Sequence, residues 1–250
     1  MTALHADPAT LPALAAGLLD DLRARRPRVH CLMNTVVQKF VADGLTALGA
    51  VPSMTSAAEE VAAFVHKADA LVVNLGTLDA GRRQAIGVAL DAAAREGRRW
   101  SLDPAHCDYS PSRAGFARAL LAREPAVLRV NRDEHELLAA PARIATVTTG
   151  SVDRITWNGT ALRVENGHPL MAQVTGTGCL SGALIAAFLA IEGNAFTAAA
   201  AAAAVLGVAG EIAARSATGP GSFQPALLDA LANLSPADLI AHARISNEQD

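Results

Sequence analysis

Short runs of Val, Leu, Ile and Ala, each about a strand long, alternate with longer stretches of helical period over the first 150 residues. No other feature limits the fold as much. Strand and helix in alternation build βαβ units around a mostly parallel sheet, with helices on both faces. Strands are expected at residues 29–33, 50–54, 70–75, 99–103, 126–131 and 144–148. None alternates cleanly between polar and apolar, as strands covered on both faces need not. Val37, Phe40, Val41 and Leu48 share a helical face that stops at Gly49, and Ser56 with Glu59 reads as a capping box opening a helix that runs to Ala68. Residues 155–157 and 160–164 flank Asn158-Gly159, a strong signal for a two-residue hairpin, so a local antiparallel patch is expected. From about Gly178 onward the chain reads as helical.

The 250 residues show no linker, repeat or shift in composition and read as one α/β domain. With 51% hydrophobic and 18% charged residues and a net charge of −3, the chain offers no polyelectrolyte surface for nucleic acid. Cys31, Cys107 and Cys179 lie far apart, which suggests neither a disulfide framework nor a zinc cluster and fits a reducing compartment. Residues 1–8 lack the basic and apolar segments of a secretory leader, so the expected location is the cytoplasm. The apolar region from Leu180 through the alanine tract 198–204 is interrupted by Glu192, Gly193, Asn194 and Glu211, and reads as two buried helices rather than a membrane span of about 20 residues.

Only Lys39 and Lys67 are lysines and neither follows a glycine, so a GxxxxGK phosphate loop is excluded. Gly176-Thr177-Gly178 matches the start of a dinucleotide fingerprint, but Ser181 holds the third glycine position and the stretch falls late in the chain. The same residues end an extended segment and open an apolar helix. They either make a tight turn or present backbone amides to an anion, since a helix start carries about half a positive charge and glycines let a phosphate approach. Cys179 falls in that helix's first turn, where a thiol pKa of about 8.5 is lowered, making it a candidate base or nucleophile or else a small buried hydrophobe. Gly219-Pro220-Gly221-Ser222 offers a second glycine-rich turn, with Ser222 as cap of the final helix, which either holds a phosphate or merely begins that helix. Asp103, Asn131 and Glu134 close two strands, where ligands of parallel sheets gather. They either hold Mg²⁺ through water or serve as turn starter and helix cap. The neighbouring pairs His30-Cys31 and His106-Cys107 make poor metal ligands, because neighbours on a strand point to opposite faces.

A further set of words runs in order along nearly the whole chain. It comprises His30-Cys31 with Asn34, Pro52-Ser53-Met54, Asn74-Leu75-Gly76-Thr77-Leu78, Leu102-Asp103-Pro104, Asn131 with Glu134, residues 166–171, residues 174–179, and Gly219-Pro220-Gly221-Ser222-Phe223. Together they resemble the hydroxyethylthiazole kinases of the ribokinase-like superfamily. The resemblance implies a three-layer ribokinase-like domain over residues 1–250. It also implies a cytoplasmic homotrimer with sites between subunits that uses ATP and Mg²⁺ to phosphorylate 4-methyl-5-(2-hydroxyethyl)thiazole in thiamine salvage. It implies that Met54 and Gly176 contact the alcohol, that Asn34, Gly76 and Thr77 shape its pocket, and that Arg129 and Thr149 bind ATP. Asp103 and Glu134 would organise Mg²⁺. Cys179 falls where related kinases place a catalytic aspartate, with the backbone of Gly176, Thr177 and Gly178 as an anion hole. Two departures stand out: residues 105–111 replace a glycine-containing stretch, and Met33 stands where threonine is common. The same scaffold would serve a hydroxymethylpyrimidine, a sugar, or a ligand-binding protein without ATP use.

Overall fold

The computed structural model of the chain describes residues 7–248. Six strands run parallel: β1 (Arg28–Leu32), β2 (Val51–Ser53), β3 (Ala70–Asn74), β4 (Arg99–Asp103), β5 (Val127–Val130) and β6 (Ala145–Thr148). Each falls on one of the six apolar runs. The hairpin β7 (Asp153–Trp157) and β8 (Thr160–Val164) extends the sheet antiparallel through Asn158 and Gly159, at φ 48° and 82°, the left-handed conformation such a turn demands. A short strand, β9 (Ile245–Asn247), pairs antiparallel with β8 and was not anticipated. Its three residues carry no apolar pattern, and backbone pairing alone defines it. The order is β2-β1-β3-β4-β5-β6-β7-β8-β9.

Helices cover both faces. One apolar cluster joins α1 (Leu11–Arg25), α2 (Gln38–Leu48), α7 (Thr177–Leu189), α8 (Ala195–Ala214) and α9 (Pro220–Asn233) to the sheet, with α10 (Pro236–His242) packed on α1. The other joins α3 (Val61–Lys67), α4 (Ala80–Glu96), α5 (Pro111–Leu121) and α6 (Arg132–Leu138). The two-residue side-chain period of a strand assigns the faces: Val72 lies in the first cluster, Leu71 and Val73 in the second. Asn74, Asp103 and Arg129 each lie two residues beyond a side chain on the α7 face (Val72, Ser101 and Val127), so the strand ends send them toward α7 together.

Helix α8 corrects one expectation. Glu211 lies inside it rather than ending it, and its 20 residues with mean hydropathy 1.7 would suit a membrane span by length and composition. Yet 83% of its most apolar stretch is buried within the protein, and Glu211 pairs at 2.6 Å with Arg244. The two apolar segments are therefore core helices, as expected. Two caps are also corrected. The helix after Ser56 begins only at Val61 with no side-chain cap, and the Thr55 hydroxyl, not Ser56, engages a glutamate there, Glu60. Ser222 lies within α9, donating to the Gly219 carbonyl at 3.2 Å, and the last helix is α10, capped by Ser235. The expectation of no leader concerns residues of which 1–6 lie outside the described ones.

Candidate active site

Adjacent strand ends assemble the polar centre. Asn74 and Asp103 are register partners on β3 and β4. The Asn74 amide Nδ2 donates to Asp103 Oδ2 at 2.7 Å and to Cys179 Sγ at 3.3 Å, while its Oδ1 accepts the Gly76 amide at 2.9 Å. One side chain thus ties the β3–α4 loop, the buried carboxylate and the thiol together. Sequence reasoning quoted Asn74 within a motif but gave it no role. Its signal was position, at the carboxyl end of a strand beside that of Asp103.

The thiol itself corrects an expectation. Cys179 does sit in the first turn of α7, yet burial and the neighbouring Asp103 carboxylate push its pKa up to about 12, against Arg129 and the Asn74 amide. Loss of water and a nearby full charge outweigh the half charge of a helix start. Cys179 is therefore a neutral thiol across the physiological range. It can orient a hydroxyl by hydrogen bonding but does not rest as a thiolate.

The α7 mouth is positive on two counts. Gly176 stands as N-cap at φ 101°, and the guanidinium of Arg129 lies against Gly178, where an added Cβ would fall 2.6 Å from Nη2. A cation against the positive end of a helix is unfavourable alone and calls for an anion. Arg129 also donates to Thr149 Oγ1 at 2.8 Å and faces Asp103 Oδ1 at 3.7 Å. Arg129, Thr149, Thr177 and Gly178 line a cavity of about 510 Å³ that continues along Asn166, His168 and Gly207. That volume suits a nucleotide-sized guest. Arg129 and Thr149, read as nucleotide contacts, are thus brought to one cavity with two of the three anion-hole residues. Ser181, noted only as a missing glycine, lines it too.

Asn34, Gly76 and Thr77 meet on the other side of Asn74. A Cβ on Gly76 would fall 2.5 Å from Asn34 Nδ2, and Thr77 Oγ1 accepts the Thr35 amide at 3.1 Å. Gly176 closes on Val37, the N-cap of α2, and on Phe40 within it. Met54 follows the edge strand β2 and packs against the α2 side of the core, with no bond linking it to the Asn34 group.

Asp103 and Glu134 suit a hard divalent cation. Burial raises the pKa of each, and the charge of Asp103 raises Glu134 further, so the pair would gain from a positive ion. Glu134 accepts the His106 and Asn131 amides at 2.6 and 2.8 Å, and Asp103 accepts the Ala105 amide at 3.1 Å. Each oxygen keeps a second lone pair for a metal or its water. Among the described residues, Glu134 has its donor atoms grouped within 4.8 Å with those of His106 and Asp108 rather than with Asp103. Asn131 is also the α6 cap, in a full capping box with Glu134, so the helix-cap reading of that pair holds. His106 and Cys107 lie not on a strand but in the loop after β4, His106 exposed and Cys107 buried. Ala105 and His106 adopt φ 30° and 58° without being glycine, a strain on the order of 1–3 kcal/mol each. Glu134 holds the His106 amide and Arg113 Nη1 donates to the Ala105 carbonyl at 2.6 Å, which fixes the loop where flexible glycines were expected.

Comparison with known proteins agrees with this geometry. The Hydroxyethylthiazole kinase family profile matches residues 19–141 and 133–237. A probable hydroxyethylthiazole kinase of Agrobacterium fabrum is 55% identical over 237 residues, covering 95% of this chain and 96% of that protein. The hydroxyethylthiazole kinase of Serratia proteamaculans is 39% identical over 91% of this chain and 96% of its own length. The solved hydroxyethylthiazole kinase structure from Pyrococcus horikoshii superposes with TM-score 0.91 at 32% identity, covering 94% of this chain and 99% of that one. Pyridoxal kinase from Staphylococcus aureus shares the fold at TM-score 0.63 and 14% identity. The central sheet with helices on both faces is therefore a ribokinase-like fold, and the chain belongs to the hydroxyethylthiazole kinase family.

Proposed function

We propose that this chain transfers the terminal phosphoryl group of ATP to the primary hydroxyl of 4-methyl-5-(2-hydroxyethyl)thiazole, a thiamine-salvage reaction, in the cytoplasm. The observation that carries the reading is the Asn74 bridge. It sets a thiol, a buried carboxylate and the β3–α4 loop side by side, with Arg129 and the cavity beyond. The alcohol would lie by Met54, Asn34, Gly76, Thr77 and Gly176, and the nucleotide by Arg129 and Thr149. Asp103 and Glu134 would hold Mg²⁺, which supplies charge neutralisation on the phosphates. Residues 1–250 would act as one kinase domain, assembled as a homotrimer through the edge by β2, where Val51 and Phe64 are exposed.

In the reaction the alcohol oxygen bonds to the γ-phosphorus as the bond from that phosphorus to the bridging oxygen breaks, releasing ADP. Negative charge on the moving group is met by Arg129 and by the amides of the α7 mouth. A loose transition state needs little help in removing the alcohol proton, which leaves late onto a phosphate oxygen. Cys179 orients the hydroxyl and Asn74 orients Cys179.

The test is purified protein with ATP and Mg²⁺ against thiazole, pyrimidine and sugar alcohols, scored for ADP and phosphorylated product. Thiazole turnover is expected. Another preferred alcohol would redirect the substrate assignment, and binding without ADP release would end the kinase reading. A neutral thiol makes a second, separate prediction. Cys179→Asp retains or improves turnover, and wild-type kcat stays flat between about pH 7 and about pH 9. A tenfold climb in kcat per pH unit over that span would mean that the thiolate is required.

A further inference from the structure

Arg82 lies on the first turn of α4 beneath the loop joining it to β3, and is 3% exposed. Its Nη2 donates to the Asn74 carbonyl at 2.8 Å, and its Nη1 donates to the Gly76 carbonyl and, at 3.3 Å, to Thr77 Oγ1. Nε is buried and has no partner. Asp79 caps α4 by accepting the Arg82 backbone amide at 2.7 Å, and no carboxylate forms a salt bridge with the guanidinium among the described residues. A buried cation is costly unless fully bonded, and an apolar residue would fill the same space more cheaply. What an apolar residue would not do is satisfy three acceptors spread over four consecutive residues, a task that fits the planar fork of arginine.

We infer that Arg82 is a positioning residue for the phosphoryl acceptor, clamping residues 74–77 so that the alcohol pocket and the Asn74 bridge keep one geometry. The loop needs such a clamp: Thr77 is a non-glycine residue at φ 49°. Apart from the Asn74 bond to Asp103, what the loop carries lies on the acceptor side. Thr77 receives the Thr35 amide, Gly76 presses on Asn34, and Asn74 reaches Cys179 and Asp103. No side chain of residues 74–77 lines the 510 Å³ cavity, so the clamp touches the nucleotide side only through Asp103.

The inference rests on the thiazole kinase reading above, and its test separates the two. Arg82→Lys keeps the charge but loses the fork, since one ammonium does not span three acceptors. The variant is expected to raise KM for the alcohol about tenfold or more and to lower kcat, because small misplacements of a reacting group are costly. Its KM for ATP should stay within about twofold of wild type. Amide hydrogen exchange should quicken at residues 75–77 and stay unchanged in α7. Where the lysine variant does not fold, Arg82→Gln, which keeps two donors without charge, takes its place with the same expected pattern. Equal shifts in both KM values, or unchanged exchange in the loop, would overturn the inference. Wild-type protein that turns over no thiazole alcohol would overturn the thiazole assignment instead, and the exchange comparison would still decide whether Arg82 holds the loop.

Discussion

Gly176→Val is expected to abolish turnover, lowering kcat/KM by about 10³-fold or more. Two independent constraints meet at this residue. Its φ of 101° lies in the region that side chains avoid, most of all β-branched ones. Its Cβ would also stand 2.8 Å from Val37 Cγ1 and 3.1 Å from Phe40 Cδ1, so the chain would have to retreat from α2. Retreat moves the first turn of α7, which carries the amides proposed to receive the moving phosphoryl group and carries Cys179 as well. Steady-state kinetics beside a thermal melt decide the case. Gly176→Ala, with the same φ conflict but a smaller intrusion, should fall between wild type and valine in kcat/KM. A folded and fully active valine variant would end the proposal of an anion-receiving helix mouth.

Arg129→Ala should be the next most damaging change, with kcat/KM for ATP falling by about 10²- to 10³-fold. The side chain works in two directions. Toward the cavity it presents a cation beside the α7 start, and toward the sheet it faces Asp103 at 3.7 Å and lowers that carboxyl group's pKa against the upward push of burial. Its removal therefore weakens phosphate binding and also leaves Asp103 harder to ionise. A raised carboxyl pKa means that the charged form is reached only at higher pH, so the acid limb of the pH–rate profile should move toward alkaline pH in the variant. Arg129→Lys should return part of the rate and most of the profile. Rates for the alanine variant close to wild type would remove Arg129 from the nucleotide site.

Most strands were legible as short β-branched or Leu-rich runs, β3 (ALVVN) the plainest and β4 (RWSLD) the faintest, and the hairpin because Asn158-Gly159 permits only a few turns. The capping box of Asn131 and Glu134 formed, whereas that of Ser56 and Glu59 did not, although the spacing is the same. The difference lies outside the motif. Asn131 ends a buried strand that points the chain into a helix, while Ser56 follows the sheet-edge strand β2 in a segment where Thr55 reaches Glu60 instead. The candidate site residues of the strand ends could be named one by one, but their mutual effects could not. The acidity of Cys179 is set first by burial under elements with no trace in the local sequence and then by Asp103, 76 positions earlier. Asn74 was left without a role, and Arg82 unnamed, for the same reason, since their importance lies in partners brought together by register and by a loop.

The alanine tract of α8 has a consequence for how this enzyme can change. Small side chains let that helix approach its neighbours closely, and its Ala203, Leu206 and Gly207 form a wall of the large cavity. At Gly207 the wall has no room to spare: a methyl group there would meet the Asn166 carbonyl oxygen at 2.8 Å and its Cβ at 2.6 Å. That position cannot be enlarged without displacing Asn166, main chain included. Change in what this cavity accepts is thereby steered away from Gly207, toward Leu206 and the loops at 149–153 and 167–172, while the helix backbone stays put.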